Sequence, residues 1–383
     1  MSWNACKCDI DMKVLILDDA SDQLASLASE LRQCGCKTAS FTDAISAIKA
    51  IAKHAIDLII CAEHPKKTSA YHVLKAVSIK SPNIIRVAVN NGLATQSRNE
   101  FAHALFGSEH SFNDIAKQLV NFSNTHKRIT KQSVVKAVNE AKSLPSPPKV
   151  YVQLKALLDE NNCDSDKIAD IITQDPALAA KVLQCANNSF AQSGRPLTNI
   201  SEAITKMGVE TLSFIVMTAE LFSSQAEIPG FSIEDEQTKA LATARFSASL
   251  VKAEDKPHTM LTGLLHRIGM LVLLNIDQPL TKQYLALPES SQLSIAVQRK
   301  IFGTDHCQIG AYLLHQWSFS YDMVKAVLEY NSPSRLVEQP YSSAHAVYLA
   351  SSLIREQQLD EAFVRHFDLT DKLESLEQKA AKY

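Results

Sequence analysis

The spacing of apolar residues changes once along this chain, and that change constrains the fold more than any other feature. Between Met12 and Phe122, short apolar runs alternate with stretches in which apolar residues recur at helical spacing. Beyond Leu144 only the helical spacing persists. Alternation of the two patterns is typical of a parallel sheet covered by helices, whereas helical spacing alone is typical of a bundle. The sequence therefore predicts an α/β domain followed by an all-α domain.

The α/β part contains five pairs of a strand and a helix. The predicted strands are Val14–Leu17, Thr38–Phe41, Leu58–Cys61, Ile84–Val89 and Ala104–Phe106. Five such units predict a flavodoxin-like fold, with a doubly wound, parallel, five-stranded sheet. We expect an N-terminal tail over residues 1–11, this domain over 12–124, and a helical linker over 125–142.

Three prolines between Pro145 and Pro148 end the linker, because proline cannot continue a helix. The helical domain is expected over 143–340, with further C-terminal helices over 341–383 that pack on it or extend it. Asp175 before Pro176 has the pattern of a helix cap. Asn187 and Asn188 are expected to end that helix, since asparagine tolerates the left-handed conformation.

Composition narrows the class of protein. Of 383 residues, 46% are hydrophobic and 21% charged, and no uncharged apolar run approaches the ~20 residues that a membrane helix needs. The N-terminus does not resemble a secretory signal, so a cytoplasmic protein is expected. Residues 1–142 carry 18 Lys and Arg against 13 Asp and Glu, but no basic cluster is interleaved with aromatic residues. Nucleic-acid binding is therefore not expected.

Two Cys-x-Cys pairs stand out among the eight cysteines: Cys6 with Cys8, and Cys34 with Cys36. Four thiolates could form a zinc site, although structural zinc sites usually have wider spacing within each pair. Reduced thiols without a metal are the favoured interpretation.

The first predicted strand ends in Asp18 and Asp19, and together with the five βα units it resembles a response-regulator receiver (CheY-like) domain. In that family an acidic pair after the first strand holds Mg²⁺, and an aspartate ending the third strand accepts a phosphoryl group. A hydroxyl and a lysine after the fourth and fifth strands complete the site. Mg²⁺ requires hard oxygen ligands, and the lysine neutralises phosphate charge.

This chain departs from the receiver pattern at three positions. Ala62 stands where the phosphorylated aspartate belongs, Asn90 where a hydroxyl is expected, and Ser108 where the lysine is expected. The resemblance therefore implies a pseudo-receiver that accepts no phosphate. Two alternatives stay open: weak Mg²⁺ binding at Asp18 and Asp19, and Glu63 as a permanent mimic of a phosphorylated aspartate.

The helical part resembles the HDOD domain of bacterial signalling proteins over about residues 143–335. The motifs that carry the resemblance are Gln174–Ser189, Arg195–Ile200, Gly263–Gly269, and Asp305-His306 with Ile309-Gly310. HDOD domains are similar to HD-type metal phosphohydrolases in fold but generally lack the full ligand set, and the family is regarded as regulatory.

His266 and Arg267 decide how this pocket is interpreted. They fall in the apolar run Met260–Ile276, which is predicted as part of one helix, Thr259–Ile276. A histidine followed by an aspartate could hold a divalent metal, whereas a guanidinium repels a cation. We expect His266 to be a hydrogen-bonded core residue and Arg267 to pair with a carboxylate or a carbonyl.

The rest of the pocket is also incomplete. Tyr330 and Asn331 stand where relatives often carry histidines. Asp305 and His306 remain, but an aspartate at a helix start is a cap before it is a ligand. The expected pocket is a degenerate HD site with no catalytic residue, metal or cofactor.

These features predict a non-enzymatic bacterial signal-transduction regulator that couples a pseudo-receiver to an HDOD interaction domain. The expected partners are other signalling proteins. The resemblance to receivers also implies that the chain can form a homodimer. A nucleotide or cyclic-dinucleotide binding module is the alternative. Residual metal-dependent phosphodiesterase activity is the third and least favoured.

Overall fold

The computed structural model describes residues 12–18, 24–63, 70–90, 101–141, 144–145, 149–159, 165–189, 197–223 and 227–383. The chain divides into two units. The first comprises Met1–Gln132 and Ala311–Lys325, and the second comprises Ser133–Gly310 and Ala326–Tyr383. The predicted tail, residues 1–11, lies outside the described residues.

The first unit contains a parallel five-stranded sheet with the order β2-β1-β3-β4-β5. Its strands are β1 Lys13–Leu17, β2 Lys37–Phe41, β3 Leu58–Glu63, β4 Ile85–Asn90 and β5 Ala104–Phe106. Its helices before residue 132 are α1 Ala25–Gln33, α2 Ala44–Lys53, α3 Ala70–Lys80 and α4 Phe112–Ile129. This is the flavodoxin-like order, so the predicted fold is confirmed.

The three central strands, β1, β3 and β4, are buried on both faces of the sheet. On one face, alternate strand residues such as Ile16 and Ile60 pack with residues of α1 and α4. On the other face, Leu15 and Ile59 pack with residues of α2 and α3. Helices on both faces explain why the strands read as nearly continuous apolar runs.

Residues 311–325 belong to the first unit, although the sequence places them in the domain 143–340. Tyr321 packs against Phe122, with ring centroids 4.6 Å apart, and its backbone N–H donates to the His103 carbonyl over 3.1 Å. The Tyr312 hydroxyl donates to Asn83 Oδ1 over 3.0 Å. A boundary drawn from local periodicity does not detect such contacts, because their partners lie about two hundred positions apart.

A fully buried arginine in β4 holds this part of the unit together. Arg86 Nε donates to the Phe101 carbonyl over 2.8 Å, and Nη2 donates to Ser318 Oγ over 2.9 Å. Nη1 donates to the carbonyls of Pro82 and Ile84, each over 2.9 Å. Burial lowers the pKa of Arg86 to about 10, with Tyr321 acting in the opposite direction, so the guanidinium stays charged at neutral pH.

The second unit is helical, apart from one isolated bridge between Ile228 and Phe231 among the described residues. Its helices up to residue 223 are α5 Gln132–Glu140, α6 Lys149–Asp159, α7 Ser165–Thr173, α8 Pro176–Ser189, α9 Ile200–Met207 and α10 Val209–Ser223. Those from residue 227 onward are α11 Ile233–Ser249, α12 Lys256–Leu265, α13 Ile268–Leu273, α14 Gln278–Leu285, α15 Glu289–Gln292, α16 Ile295–Phe302, α17 His306–Gln316, α18 Tyr321–Glu329, α19 Pro333–Leu336, α20 Ser343–Ile354, α21 Glu361–His366 and α22 Leu373–Ala380. Residues 311–316 of α17 and 321–325 of α18 count with the first unit.

The predicted start of α8 is confirmed, but its predicted end is wrong. Asp175 Oδ1 accepts from the backbone N–H groups of Ala177 and Leu178, as a helix cap does. The helix continues past Asn187 to Ser189. Asn187 instead holds a neighbouring segment, because its side chain accepts from the Leu197 N–H over 2.7 Å and donates to the Leu197 carbonyl over 3.1 Å.

The prediction of one helix over Thr259–Ile276 is also wrong. Helix α12 ends at Leu265, and α13 begins at Ile268. His266 and Arg267 form the turn between them. An apolar run that is buried on all sides gives no periodic signal for such a break.

None of the helices in the described ranges is long and apolar enough to cross a bilayer.

Replacing Arg86 by methionine should lower the free energy of unfolding of the full chain by about 2–3 kcal/mol. The substitution keeps the apolar stem but leaves buried carbonyls without their donor. Urea unfolding followed by circular dichroism measures the change. Arg32→Met is the matched control: Arg32 is exposed, and its removal should change stability by no more than about 0.5 kcal/mol. Equal losses in the two variants would contradict this assignment.

Candidate functional site

A close approach of two backbones positions the residues of the helical pocket. A Cβ atom on Gly269 would overlap the backbone of His306 and lie 2.6 Å from the Gly310 nitrogen. Only glycine fits there, so α13 and α17 touch through their backbones. This contact brings the turn that carries His266 and Arg267 next to the start of α17.

Arg267 takes part in a buried triad. Its Nε donates to Glu236 Oε1 over 2.9 Å, and Arg355 Nη2 donates to the same oxygen over 2.6 Å. The three side chains are only 7%, 5% and 4% exposed for Arg267, Glu236 and Arg355. Glu236 comes from α11 and Arg355 from the end of α20, so the triad joins three parts of the unit.

The triad is ionised. Burial alone would raise the pKa of Glu236, but Arg267 and Arg355 outweigh burial and hold that pKa at about 2. Burial works against the charge of Arg267, yet Glu236 raises its pKa above the ordinary value. Burial and Arg267 lower the pKa of Arg355, and Glu236 opposes them. Two cations and one anion leave a net charge of +1.

His266 is a neutral, fully hydrogen-bonded side chain. Its Nδ1 lies 2.5 Å from the Gly263 carbonyl oxygen, which can only accept, so Nδ1 carries the proton. Its Nε2 then accepts from the Ser351 hydroxyl over 3.1 Å. Burial, reinforced by Arg355 and Arg267, lowers the pKa of His266 to about 3. Neither ring nitrogen is left for a metal ion.

His306 is held in a similar way. Its Nδ1 donates to Gln298 Oε1 over 2.7 Å, and its Nε2 accepts from the Tyr330 hydroxyl over 2.6 Å. Burial, followed by Arg267 and His266, lowers the pKa of His306 well below its usual value. Tyr330 therefore takes part in the pocket by fixing His306.

Asp305 acts as a helix cap and as an ion-pair partner. Its Oδ1 accepts from the Gln308 N–H over 2.9 Å at the start of α17, and its Oδ2 accepts from Arg299 Nε over 2.6 Å. No group of three or more His, Cys, Asp or Glu side chains that could hold a metal ion occurs among the described residues. Occupied imidazoles beside two guanidiniums do not fit a divalent cation.

A polar cleft opens beside the triad. Its empty space, including the part open to solvent, is about 230 Å³. The cleft is lined by Arg267, Leu293, Tyr330, Asn331, Tyr348, Ser351, Ser352, Arg355 and Gln357. Arg355 Nε is excluded from solvent and has no hydrogen-bond partner among the described residues. A buried donor in that condition is rare, because it costs about 1–3 kcal/mol.

The receiver-like pocket holds little of the expected chemistry. Asp18 follows β1, and its Oδ2 accepts from the N–H of Leu24, the residue that precedes α1, over 2.9 Å. Ala62 is buried in the apolar cluster that contains Val89 and Phe106. Asn90 ends β4, and Ser108 is exposed beyond β5.

Two further receiver candidates lie outside the description: Asp19 is not among the described residues, and the side chain of Glu63 is not described. Asp57 precedes β3 and accepts from the Lys13 N–H over 2.7 Å, at the opposite edge of the sheet. Of the four described positions that correspond to the receiver site, only Asp18 carries a carboxylate, and Ala62 presents an apolar methyl group.

The cysteine pairs are only partly described. Cys34 is half-buried and Cys36 buried, and neither is in a disulfide. Burial, reinforced by Cys34, raises the pKa of the Cys36 thiol to about 11, against a smaller effect of Lys127. A protonated thiol is a poor zinc ligand. Cys6 and Cys8 lie outside the described residues.

Two residues of the triad were not predicted from the sequence. Glu236 lies 31 positions from Arg267, and Arg355 lies 119 positions from Glu236. One local signal existed for Glu236. It shares the buried face of α11 with Ala240 and Thr243, whereas its neighbours Glu234 and Asp235 are exposed. A carboxylate on an apolar helix face requires a partner.

Residues 144–333 match the HDOD domain family. No curated protein shows significant sequence similarity to the chain. Solved structures similar to it include the following three.

A putative phosphohydrolase from Shewanella amazonensis SB2B is 21% identical, with a TM-score of 0.50, over 66% of this chain and 95% of that one. An HDOD domain protein with unknown function from Geobacter sulfurreducens is 18% identical, with a TM-score of 0.50, over 66% and 97%. A putative signal transduction protein from Marinobacter aquaeolei VT8 is 18% identical, with a TM-score of 0.52, over 80% and 77%. At such identities the likeness shows the fold.

Replacing Glu236 by glutamine should destabilise the chain by about 3–5 kcal/mol, because two buried guanidiniums then lose their shared carboxylate. The free energy of unfolding in urea measures the loss. Glu234→Gln, the same change on an exposed position of α11, should cost no more than about 0.5 kcal/mol. A loss below 1 kcal/mol at Glu236 would be incompatible with an ionised triad.

Acid should destabilise the chain through His266. The folded pKa, about 3, is lower than the ordinary 6.5, so the unfolded state binds the proton first. The stabilisation is complete above pH 6.5 and is lost as the pH falls towards 3, with a slope of about 1.4 kcal/mol per pH unit.

Urea unfolding between pH 5 and pH 6 avoids the titration of Glu236 in the folded state. Other buried histidines with lowered pKa values, such as His306, add to the slope there, so the contribution of His266 is the difference between the parent chain and a variant. In His266→Gln the slope should fall by about 1.4 kcal/mol per pH unit. The same replacement at exposed His366 is the matched control. Unchanged slopes in both variants would show that His266 is protonated equally in the folded and unfolded states.

Proposed function

We propose that this chain, in which an HDOD domain over residues 144–333 follows a receiver-like domain, is a signalling regulator that acts by binding other signalling proteins and catalyses no reaction. A receiver-like domain and an HDOD domain imply signalling. The absence of catalysis, the protein partners, a cytoplasmic location and a homodimer are parts of the proposal.

The buried triad is the observation that carries the proposal. A metal-dependent phosphohydrolase needs carboxylates and free imidazole nitrogens facing its metal. Here Arg267 and Arg355 occupy the pocket, and both form ion pairs with its carboxylate, Glu236. His266 and His306 use both ring nitrogens in hydrogen bonds within the protein.

The first unit supports the same conclusion independently. Phosphoryl transfer to a receiver needs a carboxylate nucleophile at the end of β3. Ala62 occupies that position with a buried methyl group, and exposed Ser108 offers no positive charge for the phosphate. We therefore propose a regulator whose state is changed by contact with a partner and not by its own phosphorylation.

The protein named a putative phosphohydrolase shares the fold, which is compatible with either role, since one fold supports many activities. Assays on the purified full chain separate the two. We expect no turnover of cyclic dinucleotides or phosphomonoesters with Mn²⁺ or Mg²⁺. Stoichiometric metal in the purified protein, together with turnover that is lost in His266→Ala, would refute the proposal.

Acetyl phosphate tests the receiver part. We expect no acid-labile phosphoryl group on the full chain by mass spectrometry, under conditions that label a receiver with an intact acceptor aspartate. Labelling of this chain would overturn the pseudo-receiver assignment, and its position would identify the acceptor.

Capture of partners should use the full chain. A bait cut at the predicted linker would lose residues 311–325, which belong to the first unit. The native chain should retain the partner. If the Glu236→Gln variant is unfolded, it should not retain it. Equal capture by both would indicate binding to exposed apolar segments rather than to the folded surface.

A further inference from the structure

The positive charge of the triad is not balanced by the described residues around it. Arg267 and Arg355 each make an ion pair with Glu236, and neither makes another within the described part of the chain. His266 and His306 are neutral because burial lowers their pKa values. Burying an unbalanced charge is costly unless an oppositely charged group accompanies it.

One donor of the triad also lacks an acceptor. Arg355 Nε is shielded from solvent and bonds to no atom of the described residues, while its Nη2 is bonded to Glu236. The Nε–H of Arg355 therefore still requires a hydrogen-bond acceptor, and Arg355 lines the cleft. A negatively charged acceptor would balance the excess charge of the triad and accept a hydrogen bond from Arg355 Nε.

The lining of the cleft indicates the kind of such a group. Its residues include the two arginines, Ser352, Asn331 and Gln357. The hydroxyls of Tyr330 and Ser351 donate to His306 and His266 and are not available to an anion. Planar guanidiniums match the oxygen atoms of carboxylates and phosphates. The two guanidiniums therefore favour a single oxyanion group.

We propose that the cleft beside Arg267 and Arg355 is a binding site for one small oxyanion, a phosphate or carboxylate group. The bound anion balances the triad and accepts the unmet hydrogen bond of Arg355. The group is either a free ion or the end of a larger molecule whose remainder stays outside the cleft. The site is independent of the proposed function, because it requires neither catalysis nor a protein partner.

Titration calorimetry on the full chain with inorganic phosphate tests the site, at constant ionic strength and with acetate and AMP as further probes. Ionic strength must be fixed because phosphate stabilises proteins in general by exclusion from their surface. We expect saturable binding at one site per chain. Binding of phosphate or acetate alone identifies a free ion, and tighter binding of AMP identifies the end of a larger molecule.

Two variants locate the binding. Arg355→Gln removes the excess charge while Glu236 keeps its pair with Arg267, and it should weaken phosphate binding at least tenfold. Arg365→Gln, at an exposed arginine, is its control. Gln357→Glu places a competing carboxylate at the half-buried edge of the cleft and should also weaken binding at least tenfold. Gln283→Glu, the same change at an exposed position of α14, is its control.

The absence of saturable binding of all three probes to the parent chain would overturn the proposal. So would unchanged affinity in Gln357→Glu, which decides the matter if circular dichroism shows that Arg355→Gln is unfolded. Affinity lost equally in a variant and its control would mean that binding depends on net charge alone, which also rejects the site. None of these results bears on turnover or phosphoryl labelling, so failure here is distinguishable from failure of the proposed function.

Discussion

The helical unit depends on one electrostatic arrangement, the carboxylate of Glu236 shared by two buried guanidiniums. Removing charges from water costs several kcal/mol per ion, and only short, well-directed contacts recover that cost. Contacts of 2.9 and 2.6 Å to one oxygen meet this condition. Because the partners come from α11, the α12–α13 turn and the end of α20, the pairing fixes these elements relative to one another. Burial in this pocket lowers the pKa values of the nearby imidazoles, and the two cations lower them further.

The first unit accommodates a buried arginine in a different way. Arg86 has no carboxylate partner among the described residues and is bound by three carbonyls and a hydroxyl. Carbonyl dipoles stabilise a cation less than a carboxylate does, and burial accordingly lowers the pKa of Arg86 while Glu236 raises that of Arg267. The arrangement nevertheless positions Ser318, since its hydroxyl accepts from Arg86 Nη2 over 2.9 Å.

The strands were predictable because a parallel sheet covered on both faces requires continuous apolar runs, and Leu58–Cys61 is one of them. The break at His266 was not predictable, since the apolar run continues through it. It arises from contacts made in space: the His266 ring bonds the Gly263 carbonyl, and Gly269 brings α13 against α17. For the same reason Arg267 could be identified as an obstacle to a metal, while its partners Glu236 and Arg355, distant in sequence, could not.

The positive charge of this pocket disfavours a metal ion and at the same time favours an oxyanion. A pocket with carboxylates attracts a cation, and the cation then attracts phosphate. With guanidiniums in that place, the attraction for an oxyanion no longer needs an intermediate ion, because Arg267 and Arg355 supply the positive charge themselves. Binding an oxyanion in this way requires no metal-activated water, which is the reactive component of a metal phosphohydrolase. The proposed absence of catalysis and the proposed oxyanion binding are therefore compatible, and each can be tested separately.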